Sequence, residues 1–399
     1  MQWLRNILDQ IAPLFDKDGK LEKLQPLYEA TDTILFSTDE RTHSGPHIRD
    51  SIDIKRVMIL VVIALIPCYL FGAFNTGYQE SLTFGYDNSD WKRNFLSGVF
   101  KIVPIIAVTF ATGAFWEVLF SIVRRHPISE GFLVTCALIP LTLPATIPLW
   151  QVAVGTSFGV VIGKEIFGGV GMNIFNPALT TRAFLYFTYP AQISGDKVWA
   201  LAPDGYSGAT ALSIPAGQIN SDAVSLLNNA SSHLNGSTVF DFSWINMLMG
   251  WIPGSIGETN KLIILLSALF LIFTGITSWR IMVGSLLGLL TTAYLMNLLS
   301  PYSSNTMLTI PPHYHLVMGS FLFGTVFMAT EPVTSAHTEF GKWVYGFFIG
   351  MLTVIIRSIN PAYPEGIMLA ILLMNAFAPL IDYFVIKSNV RKRLLRYAQ

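Results

Sequence analysis

The chain has 399 residues, of which 52% are hydrophobic and only 13% charged, and its 25 basic and 25 acidic residues cancel. Soluble domains carry about 25% charged residues, so this composition, with a mean hydropathy of +0.51, excludes an ordinary soluble enzyme. A net charge of zero without a basic stripe also gives no indication of nucleic-acid binding.

The chain opens with a polar, amphipathic arm at 1–56, which lacks the apolar core of a signal peptide. Apolar runs follow, most of them close to the length that crosses ~30 Å of hydrocarbon. We predict an all-α polytopic membrane protein with about ten transmembrane helices. They are expected at 57–74, 102–123, 132–149, 151–163, 177–190, 262–279, 281–299, 315–330, 343–359 and 367–386.

These runs divide the chain into a first five-helix half at 57–190, a polar loop at 191–261, a second five-helix half at 262–386 and a basic tail at 387–399. Lysine and arginine are concentrated in the arm and the tail, whereas the long loop contains only Lys197 and Lys261. Because positive loops stay in the cytoplasm, both termini are expected to be cytoplasmic and the loop extracytoplasmic.

The triplet Asn-Pro-Ala occurs twice, at 176–178 and at 360–362, each time at the start of the fifth span of a half. Because five is an odd number of spans, the two halves enter the membrane from opposite sides and are predicted to form an inverted repeat. Such repeats place binding sites at helix N-termini between the halves. Aquaporins also have two such triplets, but their arginine follows the triplet directly, whereas Arg182 comes six positions after Asn176.

The long loop contains the stretch "DGYSGAT" at 204–210. Its small residues allow a bulky group to approach the backbone, and the threonine hydroxyl offers a point of covalent attachment. The pattern D-x-x-S-G-A-T, here Asp204, Ser207, Gly208, Ala209 and Thr210, matches the motif at which FMN is transferred from FAD onto threonine as a phosphoester. Without that match, the residues alone indicate a turn, because polar loops are rich in Asp, Gly and Ser and most of them are only turns.

Together with "FWEVLFSIVRRHPISEGFLVT", "FGGVGMNIFNPALTTRAF" and "PGSIGE", this motif makes the whole chain resemble the family that comprises the B subunits of the Na+-translocating NADH:quinone oxidoreductases and the D subunits of Rnf complexes. The N-terminal arm favours the first of the two. The resemblance implies a subunit of a six-subunit complex in the bacterial cell inner membrane, with a periplasmic flavin loop. It also implies electron transfer from covalent FMN through non-covalent riboflavin to ubiquinone, coupled to Na+ export, with NADH oxidised on another subunit.

The resemblance also suggests where the cofactors bind. Thr210 would anchor FMN, and Asp204 would position Thr210 or the Mg²⁺ of the FMN-transferring enzyme. Backbone N–H groups of the outer loop could close over the flavin or its phosphate, with an ordinary turn as the alternative; the residues concerned are Gly254, Ser255 and Gly257. Riboflavin is expected near Asn173 and Asn176, with helix capping as the alternative role for an asparagine.

Three acidic residues fall in or beside apolar runs, namely Glu117, Glu331 and Asp382. A charge at the bilayer centre costs about 2.5–3.5 kcal/mol on insertion scales, so each requires a role. Hard cations prefer oxygen ligands, which makes these residues candidates for the sodium path; structural ion pairs, for example with Arg182 or Arg357, are the alternative.

The quinone is expected on the cytoplasmic side at Gly113 and Ala114, where Ala114 departs from the Gly-Gly of the family. No resident metal site is predicted, because Cys68 and Cys136 are isolated in apolar runs. Two other functions stay open: an Rnf-type subunit that exchanges electrons with ferredoxin or NAD partners, and a channel or transporter of the urea-transporter type without a cofactor.

Overall fold

The computed structural model describes residues 2–15, 21, 25, 28, 32, 45, 54–124, 128, 131–195, 198–201, 208–230, 233–234, 237–238, 241–360 and 363–397. Asp204 and Ser207 of the predicted attachment motif lie outside the described residues. The helices of the first half of the chain are α1 Gln2–Ile11, α2 Ile54–Phe84, α3 Trp91–Arg124, α4 Gly131–Leu141, α5 Leu149–Val161, α6 Pro177–Thr188 and α7 Pro190–Ile193, with 3₁₀ turns at Ala12–Leu14 and Glu165–Phe167.

The outer loop and the second half continue this helical pattern. Their helices are α8 Ser213–Ala216, α9 Ala223–Asn229, α10 Trp244–Met249, α11 Lys261–Phe273, α12 Trp279–Leu299, α13 Tyr314–Val317, α14 Phe321–Phe323, α15 Glu339–Ile359 and α16 Ile367–Tyr397. Further 3₁₀ turns lie at Ser300–Tyr302 and Thr306–Thr309, and a π turn at Gly324–Met328. Two short strands, β1 His233–Leu234 and β2 Ser237–Thr238, form an antiparallel pair in the outer loop.

Among the described residues, five helices are long and apolar enough to cross a membrane: Arg56–Phe84, Trp91–Arg124, Trp279–Tyr302, Glu339–Ile359 and Ile367–Arg396. Gly131–Leu141 and Lys261–Phe273 are apolar but shorter. The predicted class, an all-α polytopic membrane protein, is confirmed. The inverted repeat stays a prediction.

The predicted span 315–330 is a broken segment rather than one helix. Its helical pieces are interrupted at Met318, which is extended, and at Gly319, whose φ of +62° suits glycine. Beyond this break, Ser320 donates from its backbone N and its Oγ to the Glu365 carboxylate, at 3.1 and 2.7 Å. Irregular backbone at membrane depth is tolerated where protein satisfies its polar groups, as happens here.

A second irregular region joins the two halves. The backbone N–H groups of Ile256 and Gly257 donate to the carbonyl oxygens of Leu143 and Leu141, at 3.2 and 2.8 Å. An added Cβ at Gly257 would lie 2.7 Å from the Cβ of Leu141, so glycine permits this approach. The loop that precedes α11 is therefore hydrogen-bonded to the end of α4 and to the residues just after it.

Helices α12 and α15 pack backbone to backbone through glycines. An added Cβ would lie 2.0 Å from the Phe347 carbonyl oxygen at Gly288 and 1.9 Å from the Ser285 carbonyl oxygen at Gly350. Each of these glycines has another four residues earlier on its helix, as in the small-residue interfaces of membrane helices.

An apolar cluster joins the outer loop to residues 307–318 of the second half. It includes the buried side chains of Leu212, Leu227, Met247 and Met307. This cluster holds the segment directly after Thr210 against the ends of the membrane helices.

Candidate functional site

Thr210 lies just before the short helix α8 and its side chain is half-buried. The backbone N of Ser213 donates to Thr210 Oγ1 at 3.3 Å, and the two hydroxyl oxygens are also 3.3 Å apart. Ala211 and Leu212, the next two residues, are buried in the outer cluster. The hydroxyl is therefore held at a fixed place, while its own hydrogen bonds are long.

Thr210 lines a cavity of about 410 Å³. Its walls combine aromatic, hydroxyl and charged groups from four separate parts of the chain: Arg182, Tyr186, Ile193, Ser194, Gly195, Trp199, Ser213, Ala216, Gly217, Tyr363, Pro364 and Glu365. The rings of Tyr186 and Tyr363 pack edge to face with centroids 4.4 Å apart. Small-molecule sites have volumes of about 300–1,000 Å³ and largely aromatic or apolar walls, and this cavity has both properties.

The aromatic and acidic residues that line this site, Tyr186, Trp199, Tyr363 and Glu365, were not predicted from the sequence. The one available signal was the second Asn-Pro-Ala triplet, which directly precedes Tyr363. That triplet indicated a helix start and not a wall of the Thr210 cavity.

A narrow cavity of about 10 Å³ extends from Thr210 toward buried charges. Glu258 and Lys261 line it, and Lys261 Nζ donates to the carbonyl oxygens of Glu258 and Thr259 at 2.7 and 3.2 Å. Burial, reinforced by the nearby Glu365 carboxylate, holds the pKa of Glu258 above its ordinary value.

Arg357 lies behind this cavity with all three guanidinium nitrogens bound to the backbone. Its Nε donates to the Glu365 carbonyl oxygen at 3.1 Å, Nη1 to that of His315 at 2.8 Å and Nη2 to that of Met318 at 3.0 Å. Arg357 thus fixes the broken segment and Glu365, which lies three residues after the second triplet.

Arg182 is 3% exposed and lines the larger cavity. Its guanidinium lies 6.0 Å from the ring centroid of Trp199 and acts electrostatically on the Tyr363 hydroxyl. Its Nη1 is buried without a hydrogen-bond partner. In the part of the chain that the structure describes, Arg182 and Arg357 therefore face the outer site and are not the partners of Glu117, Glu331 or Asp382.

The predicted phosphate-binding loop differs from expectation. Ser255 N donates to Glu258 Oε1 at 3.1 Å, and Gly257 N donates to the Leu141 carbonyl oxygen. These two N–H groups are therefore already used within the protein, and Gly254, Ser255 and Gly257 do not line the 410 Å³ cavity. Flavin or phosphate binding by these three residues stays a prediction, and Glu258, from the same loop, lines the narrow cavity beside Thr210.

Asn176 is the N-cap of α6. Its Oδ1 accepts hydrogen bonds from the backbone N of Ala178 and Leu179, at 2.9 and 3.2 Å, which corresponds to the capping alternative. Its side chain also lies beside Glu331, and both residues line a cavity of about 50 Å³. Asn173 donates from its own amide to the Phe175 carbonyl oxygen at 3.1 Å.

Gly113 and Ala114 lie in α3. An added Cβ at Gly113 would come 2.5 Å from Cys136 Sγ and 3.0 Å from the ring of Phe132, so glycine permits close packing of α3 on α4. Ala114 is half-buried beside it. Nothing in the structure tests the predicted quinone contact.

Glu117 belongs to a buried charge network between α3 and the end of α5. It pairs with Lys164, whose Nζ lies 3.2 Å from Glu165 Oε1, and Arg124 Nη1 lies 3.4 Å from Glu165 Oε2. Two carboxylates and two cations thus balance one another. This arrangement corresponds to the structural ion pair that was the alternative to a role of Glu117 in the sodium path.

Asp382 accepts hydrogen bonds from the backbone N groups of His337 and Thr338, at 2.7 and 3.0 Å, and from Thr338 Oγ1 at 2.5 Å. It therefore satisfies donors at the N-terminus of α15. Glu331 accepts from Thr334 Oγ1 at 2.8 Å. The three predicted ion-path acids have separate partners, and the described residues contain no group of three or more acidic, histidine or cysteine side chains placed to bind a metal ion.

Among known protein families, residues 41–391 match the model of the NQR2, RnfD, RnfE family. The chain is 49% identical to the B subunit of the Na(+)-translocating NADH-quinone reductase of Chromohalobacter salexigens, over 99% of this chain and 97% of that protein. It is 47% identical to the corresponding protein of Ectopseudomonas mendocina and 46% identical to that of Yersinia pestis, each over 98% of this chain and 99% of the relative.

Proposed function

Because the chain belongs to the NQR2, RnfD, RnfE family, we propose that it works as the membrane-embedded B subunit of a Na+-translocating NADH:quinone reductase and carries FMN on Thr210. It receives electrons on the outer side of the membrane and passes them toward ubiquinone, coupled to Na+ export. The other subunits of the six-subunit complex are its partners in the bacterial inner membrane, and NADH is oxidised on one of them.

The observation that carries the flavin proposal is the placement of the Thr210 hydroxyl in the wall of the 410 Å³ cavity. The cavity has the volume of a small-molecule site. Trp199, Tyr186 and Tyr363 provide the aromatic surface that a flavin ring requires. These residues therefore fit FMN.

Each part of the cavity has a distinct task. In the attachment, an FMN-transferring enzyme moves FMN from FAD to Thr210: the Oγ1–P bond forms, the pyrophosphate P–O bond breaks, AMP leaves and the hydroxyl proton is released. The aromatic side chains orient the ring and exclude water. Once bound, FMN supplies one- and two-electron redox chemistry, and its covalent link removes the cost of recruiting a diffusible cofactor.

Riboflavin at Asn173 and Asn176 does not fit in the same way. Both amides already have partners within the protein, and the cavity beside Asn176 measures only about 50 Å³. We therefore assign no step to riboflavin at these residues. Gly113 and Ala114 remain the proposed quinone region, and Glu117, Glu331 and Asp382 the proposed ion-path residues.

Fluorescence of the denatured subunit on a gel tests the proposal. The subunit from the purified complex should fluoresce, Thr210→Val should abolish the signal, and Ser213→Ala should retain it because that neighbouring hydroxyl is not the anchor. Quinone reduction by the same complex separates this function from that of an Rnf-type subunit. A dark wild-type band would contradict the flavin proposal and favour a channel.

A further inference from the structure

Arg182 differs from the other buried cations near Thr210 in having an unused donor. Lys261 and Arg357 direct their nitrogens at backbone carbonyl oxygens, whereas Arg182 Nη1 is buried with no partner. A buried donor without an acceptor is costly, and the cost is larger for a charged group. Arg182 Nη1 is therefore a charged donor available to an acceptor in the cavity that Arg182 lines.

The charges around the two cavities point to the same conclusion. Arg182, Lys261 and Arg357 are cations, and Glu258 and Glu365 are acids, so the described cluster has one positive charge in excess. Any protonation of Glu258 would increase this excess. A phosphodiester has one ionised oxygen and therefore offsets one positive charge of the cluster.

Geometry selects Arg182 among the three cations. It shares the wall of the 410 Å³ cavity with Thr210, which Arg357 and Lys261 do not line. Its contacts with Trp199 and Tyr363 limit the movement of the guanidinium, and arginine suits phosphate oxygens because of its planar fork of donors.

We propose that Arg182 is the counter-ion of the phosphate that links the flavin to Thr210, and that it positions this phosphate through Nη1. This inference rests on the proposed function. Arg182 acts on the phosphate and not on the redox-active ring, so it is a positioning residue. A merely structural role, in which Arg182 only supports Tyr363 and Trp199, would not depend on whether a ligand carries a phosphate.

The test uses the purified complex with Thr210→Val, which cannot hold FMN covalently. Equilibrium dialysis measures the binding of free FMN and of riboflavin, which differ only in the phosphate. With Arg182 present, we expect FMN to bind at least about ten-fold more tightly, the factor that ~1.4 kcal/mol provides. Arg182→Gln should remove this preference, Arg182→Lys should restore part of it, and Arg280→Gln, the same change at an arginine that pairs with Glu339 and does not line this cavity, should leave it intact.

A second measurement uses inorganic phosphate as a competitor of FMN and does not require the complex with Arg182→Gln to assemble. In the Thr210→Val complex, phosphate should displace FMN but not riboflavin. Equal binding of the two flavins, failure of phosphate to compete, or an unchanged preference in Arg182→Gln would overturn the inference. If such a result comes with a fluorescent wild-type subunit, only the role of Arg182 fails; a wild-type subunit without covalent flavin contradicts the proposed function itself.

Discussion

The buried network around Lys164 predicts unequal effects of two substitutions. The side chains of Lys164 and Glu117 are 3% and 2% exposed, and that of Glu165 is 1% exposed. Arg124, which contacts Glu165, is 32% exposed and can reach water. The negative charges of the network are therefore buried more completely than its positive charges.

Lys164→Met removes the cation from Glu117 and leaves both carboxylates buried. Removing one partner of a buried ion pair costs about 3–5 kcal/mol, and we expect a loss in this range. Glu117→Gln leaves Lys164 with Glu165, and the surplus positive charge is shared with the more exposed Arg124, so we expect a loss of about 1–2 kcal/mol. The double variant restores the balance of charge and should be more stable than Lys164→Met alone.

The midpoint of thermal inactivation of the assembled complex, measured at one protein concentration, ranks these variants. The reasoning would be refuted if the midpoint of Lys164→Met were as high as that of Glu117→Gln or higher. It would also be refuted if the double variant had a lower midpoint than both single variants. The Na+ dependence of quinone reduction adds a functional readout. If Glu117 also binds the ion, the double variant regains stability but not its response to Na+.

Three further outcomes are expected. Gly288→Ala places a methyl group against the Phe347 carbonyl oxygen; it should cost about 1–3 kcal/mol in thermal unfolding, whereas the lipid-facing change Leu287→Ala should cost less. Asn176→Ala should cost about 1 kcal/mol through the lost N-cap, and Asn176→Ser should recover it. Loss of non-covalent flavin in Asn176→Ser, measured after denaturing extraction, would instead assign that residue to flavin binding. Because the pKa of Glu258 is raised above 4.5, its stability contribution is fully present below that pH and is lost as pH rises through the raised pKa. Glu258→Gln should flatten the pH dependence of the melting temperature, and an unchanged profile would contradict this assignment.

Local sequence patterns were sufficient for much of the fold. The runs at 57–74, 102–123, 281–299, 343–359 and 367–386 all lie within long helices, because apolar length is a local property that the bilayer selects directly. The run at 315–330 was misleading, because hydropathy does not register the break at Met318 and Gly319 or the carboxylate that satisfies it.

For single residues, too, roles that depend on neighbouring sequence were predicted, whereas contacts between distant parts of the chain were not. Thr210 was predicted as the FMN anchor from a contiguous motif, and the capping role of Asn176 was a named alternative because it depends on the next three residues. The partners of Glu117 and Asp382 were not predicted, since Lys164 and Thr338 are 47 and 44 residues away along the chain.

The sequence by itself determined that this protein is a helical membrane protein, and its seven-residue motif predicted Thr210 as the FMN anchor, because composition, apolar length and such a motif are properties of neighbouring residues. Only the tertiary structure decided what surrounds that threonine. Arg182, Trp199 and Tyr363 come from three distant segments, and helix packing alone brings them to one cavity. The same packing leaves one buried guanidinium nitrogen without an acceptor, a feature that no spacing along the chain could reveal.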